Sequence, residues 1–417
     1  MKKSKYMQNN AINVFFWATL GGAFIAMLCI LALYFFDSRF FDGQLAVFSD
    51  FVEIMNVSIE DSPYLLEGSS YPPFAIIILY PFALICKNVF SSLAGQTLSV
   101  NELTLKLLDT YQFWISICLF FIICTTIIIC LVSKKYELRG SNLFKVSSII
   151  VLSAPFIYTV ARGNSILIAL IFTMLFLLFK DNKKPILREL SYVCLAISGC
   201  LKIYPLFFGV FLLKDKKILA SLRVAAYFFI IFFASFFFFA GDLNDWTEFT
   251  ENLGGFMSNE TRLTGFNNLS ISALIFKVIH VFSPNLTAES TVFSVLNIII
   301  IALIFLLSTV AAVATKNDFS RLLICSAIVV LIPSISYFYV IIFTLLPFLE
   351  LLIKGNKEKK YYYTFLFLYI SLFVIPIFFI PHSIIIIALL IFEVLKVLKN
   401  EVFIKGKNTL SYEKTSK

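Results

Sequence analysis

Long apolar runs separated by short basic stretches fill most of the chain. About 20 apolar helical residues cross a bilayer. The pattern therefore predicts an all-α polytopic membrane protein, one integral membrane domain over 1–417. Its expected spans are 11–36, 105–132, 144–160, 164–180, 187–201, 203–213, 218–240, 291–314, 321–333, 336–353, 361–379 and 383–398, about twelve crossings. Between them lie basic clusters at Lys2, Lys3 and Lys5, then Lys134–Lys145, Lys180–Arg188, Lys214–Arg223, Lys316–Arg321, Lys354–Lys360 and Lys396 onward. The positive-inside bias puts these clusters, and both termini, in the cytoplasm. The start MKKSK with its long following apolar stretch reads as an uncleaved anchor.

That orientation constrains two further apolar segments. If Tyr71–Phe90 or Leu269–Phe282 crossed, the next basic cluster would be carried outside. Both are expected to dip in from the outer face or lie along it, with their ends sheltered by protein or a wet cavity. The short pair 187–201 and 203–213 is expected to form a hairpin. Its tip, Leu201-Lys202-Ile203-Tyr204-Pro205, stops below the outer surface.

The polar stretches then divide by sign. The first long outer loop, 37–104, and the second with its dipping segment, 241–283, are acidic. Phe48, Phe51, Val52 and Met55 recur at helical spacing, with Asp50 and Glu53 on the wetter side. Tyr71-Pro72-Pro73 opens the dipping segment, since proline suits a first helical turn. Surface-lying or re-entrant helices are therefore expected in the first outer loop.

Composition strengthens the membrane reading: 60% of residues are hydrophobic, 17% aromatic and 14% charged, against roughly 25% charged in soluble domains. The net charge of +9 follows the topology signals, so no nucleic-acid partner is implied. The eight cysteines show no C-x-x-C spacing and mostly sit in apolar runs. No P-loop, GxGxxG or HExxH motif supports nucleotide or zinc chemistry. No cofactor is evident, and the clustered loop acids leave room for a divalent metal.

Candidate chemistry concentrates near the outer loops. Asp50 reads as a general base or as a solvated acid or helix cap, with Glu53 and Asp61 competing for the base role. Lys202, inside an apolar run, is a functional candidate by its desolvation cost or a snorkelling side chain. Its expected partner is a lipid phosphate. Arg162-Gly163-Asn164 forms a tight turn. There Arg162 suits a phosphate fork and Asn164 a sugar or backbone contact, or the pair caps a helix. Asn268 and Ser270 read equally as ligand contacts or a helix cap. His280 and His382 carry no assigned role.

Taken in order, Ser49-Asp50-Phe51, Ser62-Pro63-Tyr64 with Tyr71-Pro72-Pro73, Arg162-Gly163-Asn164, Leu201-Lys202-Ile203-Tyr204-Pro205 and Asn268-Leu269-Ser270 resemble the membrane glycosyltransferases of the GT-C fold. Among these the chain is most similar to the glycosyltransferase 87 family. The resemblance implies surface-lying helices in the first outer loop and a catalytic aspartate there, Asp50. It implies a polyprenyl-phosphate sugar as donor and a lipid-linked or cell-wall glycan as acceptor. Lys202, Arg162, Asn164, Tyr204, Tyr71, Asn268 and Ser270 are then substrate-binding candidates. Many members carry Gly-Gln-x-Asn where this chain has Arg-Gly-Asn. The composition fits a bacterial cell membrane. A multi-pass transporter or flippase, and a lipid-linked glycan polymerase or ligase, are the competing classes. The two halves show no internal repeat, and the outer loops hold few arginines.

Overall fold

The computed structural model describes residues 11–24, 27, 47–65, 69–93, 96, 98–265, 268–284, 287, 288, 290–354, 362–373 and 380–403. Asp37, Asp42, Glu67 and Asn267, the cluster Lys2–Lys5 and the basic residues after 403 lie outside the described residues. Among those described, the chain is helical, with one isolated antiparallel bridge, Asn268 to Tyr337. Contacts divide it into two compact units: Met1–Leu206 with Arg223–Phe256, and Phe207–Leu222 with Met257–Lys417.

The first unit opens with α1 (Ala11–Phe24), α2 (Ser49–Ser58), α3 (Pro73–Ile85), α4 (Lys87–Leu93) and α5 (Val100–Leu108). It continues through α6 (Tyr111–Tyr136), α7 (Gly140–Val151), α8 (Ala154–Arg162), α9 (Ile166–Phe179) and α10 (Pro185–Leu201). A 3-10 turn at Tyr204–Gly209 leads to α11 (Val210–Lys214), which belongs to the second unit, and α12 (Ile218–Ala234). Most of α13 (Asp245–Ser258) completes the first unit. The second unit adds α14 (Glu260–Thr264), α15 (Ile271–Phe282), α16 (Thr291–Ala314), α17 (Asp318–Leu331), α18 (Leu345–Lys354), α19 (Tyr362–Phe373) and α20 (Ile380–Val397).

Three described helices are long and apolar enough to cross a membrane: α6, Ile218–Phe238 and α16. Counting the bent pairs α3–α4 and α7–α8 as one span each makes five. Among the described residues, several other segments expected as spans form shorter apolar helices, Ala11–Phe24, Ile166–Phe179 and Tyr204–Lys214 among them. With its 14 residues, α9 reaches only about 21 Å, against a core of about 30 Å.

Local chemistry accounts for the breaks. Pro72 and Pro73 start α3, where a missing N–H costs nothing. The α3–α4 pair then bends by 88° at Cys86, so Tyr71–Phe90 is no straight span. The α7–α8 pair bends by 59°. There the Ser153 hydroxyl takes the Ile150 carbonyl at 2.7 Å, and Pro155 cannot donate back. The helix α5 starts at a capping box, with Ser99 and Glu102 each satisfying the other's backbone N–H.

Two aromatic clusters seat α2 and the segment around Tyr64 in the first unit. Phe51 of α2 packs against Phe82, Phe113 and Phe120 with ring centroids 6.1, 6.3 and 5.2 Å away. Tyr64 sits among Phe236, Phe239 and Phe249 at 5.8, 6.1 and 5.5 Å. Most of α2 is buried, including Asp50. Asp50 is therefore not on the wet side expected from the periodicity, whereas Glu53 stays half-buried with Asn56. In the second unit, every residue of α17 from Phe319 to Leu331 is buried. Arg321 there donates to the Ala312 carbonyl at 2.8 Å and to the Thr315 carbonyl, filling orphan acceptors at the end of α16.

Candidate active site

The site begins with how α8 stops. Gly163 takes φ +66°, and its N–H bonds the Val160 carbonyl at 3.1 Å while Asn164 N–H bonds the Thr159 carbonyl at 3.3 Å. This is a Schellman ending. It turns the chain sharply enough to expose the Ala161 carbonyl, which accepts from Phe48 N–H at 2.6 Å. Phe48 itself has φ +57°. The start of α2 is thereby docked on the end of α8, and the backbones meet closely. A Cβ on Gly163 would lie 2.4 Å from the Phe51 Cβ.

This docking brings Asp50 to the Arg-Gly-Asn turn. Arg162 donates to Asp50 Oδ1, and Asn164 Nδ2 donates to Asp50 Oδ2 at 2.7 Å. Asn164 Oδ1 accepts from Ile166 N–H at 2.9 Å, opening α9. Asp50 is buried as the second residue of α2, so neither the solvated-acid nor the N-cap reading describes it. The phosphate fork expected of Arg162 is here turned onto a carboxylate. A quarter of its side chain stays exposed, against 5% for Asp50.

One turn along α2, Glu53 is half-buried and accepts from the Tyr71 hydroxyl at 3.3 Å. Tyr71 is held in turn, because the Tyr64 hydroxyl donates to its carbonyl at 3.1 Å. Ser62-Pro63-Tyr64 and Tyr71-Pro72-Pro73 thus form one bracket. The Lys202 ammonium stands 5.2 Å from the centre of the Tyr71 ring and feels the charges of Asp50 and Glu53. Lys202 ends α10 in an extended conformation, φ −151° and ψ 122°. Nearby Gly199 leaves room for Leu206, whose Cγ a Cβ there would meet at 2.5 Å. Tyr204 is half-buried at the head of the 3-10 turn. Asp61 is exposed, and its carbonyl accepts from Ala240 N–H at 2.9 Å.

Asn268 and Ser270 belong to the second unit, with partners of their own. Asn268 Nδ2 donates to the Arg262 and Ser334 carbonyls at 3.2 and 3.1 Å, and Oδ1 accepts from Ser270 and Ser336 N–H at 3.1 and 3.0 Å. That uses the whole capacity of a primary amide. Ser270 caps α15, accepting from Ala273 N–H at 3.0 Å and donating to the Ser334 carbonyl at 2.7 Å. Ser270 is thus the N-cap of α15, and Asn268 supports it through the Ser270 N–H.

The family model for glycosyltransferase family 87 matches residues 70–334. The chain belongs to this family. No curated protein matches it. As a family 87 member it is a glycosyltransferase, with a sugar donor and an acceptor as substrates. The matched region holds Tyr71, Arg162, Asn164, Lys202, Tyr204, Asn268 and Ser270, whereas Asp50 and Glu53 precede it. Among the described residues no three His, Cys, Asp or Glu side chains gather as a metal site. The first-unit cluster offers a buried carboxylate, Asp50, and an ammonium, Lys202, over the ring of Tyr71, whose hydroxyl bonds Glu53. The pairing of Glu53 with Tyr71 was not read from the sequence. Its one signal was the i, i+3 spacing of Asp50 and Glu53.

Proposed function

We propose that this family 87 glycosyltransferase moves a hexose, mannose or another, from polyprenyl phosphate to a hydroxyl of a cell-envelope acceptor, with inversion. Catalysis would take place at the extracytoplasmic face of a bacterial cell membrane, in a protein of about twelve crossings with cytoplasmic termini. One observation carries the reading: α2 presents a buried carboxylate, Asp50, and one turn on Glu53, which accepts from the Tyr71 hydroxyl, while the Lys202 ammonium stands over the Tyr71 ring and feels the charges of both acids.

The chemistry follows from that pairing. The acceptor hydroxyl attacks the anomeric carbon as Asp50 takes its proton. The bond from that carbon to the phosphate oxygen breaks, and its electron pair leaves with polyprenyl phosphate. Lys202 faces the charge that grows on the leaving phosphate, a preorganised cation in a poorly hydrated place. Arg162, part-exposed beside Asp50, adds a second positive charge near the leaving phosphate. Polyprenyl phosphate is already an activated leaving group, so no nucleotide is needed on the outer face.

The test is transfer by the purified protein across a panel of polyprenyl-phosphate sugars. Asp50→Asn should abolish transfer while the protein stays folded and binds donor. Near-normal turnover by Asp50→Asn, or no turnover of any donor by the wild type, would overturn the reading.

A further inference from the structure

We propose that Asn164 is a positioning residue for the base: its buried amide fixes the Asp50 carboxylate in the orientation that accepts the proton. This rests on the base role of Asp50 proposed above. The sequence offers Asn164 as a sugar or backbone contact or as part of a helix cap; in the structure the residue is fully buried and both ends of its amide are engaged inside the protein.

The amide orientation is unambiguous. An N–H, from Ile166, meets one end, and a carboxylate, from Asp50, meets the other. Only oxygen toward Ile166 and nitrogen toward Asp50 satisfies both. The two anchors on Asp50 differ in kind. Arg162 is charged and part-exposed. Asn164 is neutral and sealed, so its hold on Oδ2 persists through the reaction. It fixes the plane of the carboxylate and so where the second lone pair of each oxygen points. The close approach of Phe51 to Gly163, and the Phe48–Ala161 hydrogen bond, keep the two backbones in register for this contact.

A purely structural role makes a different demand. Starting α9 requires only an acceptor for Ile166 N–H, which aspartate supplies as well as asparagine. Asn164→Asp therefore keeps that role. It removes the donor, however, and sets a second carboxylate against Asp50 where 2.7 Å now separates donor from acceptor. Two carboxylates that close hold a proton between them. Asp50 also bonds Arg162 on α8 and shares the field of Lys202, after α10, with Glu53 one turn along its own helix, all unchanged in the variant.

In the transfer assay, Asn164→Asp should lower kcat roughly tenfold or more at pH 7 and leave the donor KM within about twofold. Its acid limb of kcat/KM against pH should move up by about one unit or more. Asn164→Ala, which adds no charge, should lower kcat by on the order of 100-fold, the scale of a misplaced catalytic group, again with donor KM held. Wild-type kcat and pH profile in Asn164→Asp would overturn the proposal. So would a change confined to donor KM, or loss of the folded protein in both variants, which would assign Asn164 to the fold. A wild type inactive on every donor overturns the functional reading and this proposal together. An active wild type with unaltered variants removes Asn164 alone.

Discussion

The glycine between Arg162 and Asn164 allows the docking of α2 on α8 to be measured directly. Replacing Gly163 by alanine has two separable costs. The first is conformational: at φ +66° an L side chain loses about 1–2 kcal/mol. The second is steric, because the new methyl would lie 2.4 Å from the Phe51 Cβ and 3.4 Å from its backbone nitrogen. Phe51 has no room to withdraw, being fully buried among Phe82, Phe113 and Phe120. Overpacking of this kind costs about 1–3 kcal/mol. The sum, about 2–5 kcal/mol, is a large part of a typical stability of about 5–15 kcal/mol.

Gly140 supplies the internal control. It has φ +53°, yet a Cβ there meets nothing within 4 Å. Gly140→Ala should therefore show the conformational cost alone. At about 2 °C per kcal/mol for a chain of this size, Gly140→Ala should lower the melting temperature by about 2–4 °C and Gly163→Ala by about 4–10 °C. The assay is a fluorescence melt in detergent, with donor turnover recorded on the same samples. Because the clash falls one residue from Asp50, transfer should also drop in Gly163→Ala and hold in Gly140→Ala. Equal melting temperatures for the two variants would refute the close approach of α2 to the turn. A Gly163→Ala variant as stable as the wild type would do the same.

Other expectations concern single contacts. Lys202→Ala should raise the apparent donor KM by about 10–100-fold, the scale of a lost hydrogen bond to a charged group; an unchanged KM takes the lysine out of the site. Asn268→Ala leaves four backbone partners without their amide, of which the Ser270 and Ser336 N–H groups are buried, and should cost about 2–4 kcal/mol. Lost transfer with an unaltered melt would instead mark it as a ligand contact. Ser99→Ala removes the hydroxyl of the α5 capping box and should lower the melting temperature at pH 7. The Ser99 N–H and hydroxyl hold the exposed Glu102 carboxyl below its usual range. A depressed carboxyl stabilises above its unfolded pKa, about 4.3, and the benefit is lost as pH falls through the folded value. The gap between wild type and Ser99→Ala should thus narrow in acid; a constant gap would exclude Glu102 from the effect.

What the sequence determined alone was local. Pro72-Pro73 announces the start of α3 because proline has no N–H to lose there. The apolar run 105–132 announces α6, although the capped α5 splits off its first residues. Gly163 announces a turn because it alone bears φ +66° without strain. Lys202 stood out for the cost of an ammonium in an apolar run. Each signal is carried by neighbours a few residues apart, where backbone sterics and hydrogen bonding act directly.

Only the tertiary structure decided what these residues face. Periodicity put Asp50 on a wet helix side, but α2 is covered on nearly every face. Its carboxylate meets groups 112 and 114 residues away in the chain. Arg162 suits a phosphate fork or a helix cap and Asn164 a sugar or backbone contact, since residue type records hydrogen-bonding capacity and not partner. Asn268 looked equally like ligand contact and cap until its four bonds were seen. Partner choice at that distance depends on how helices pack and which polar groups are left to be satisfied in the interior. No run of adjacent residues encodes that information.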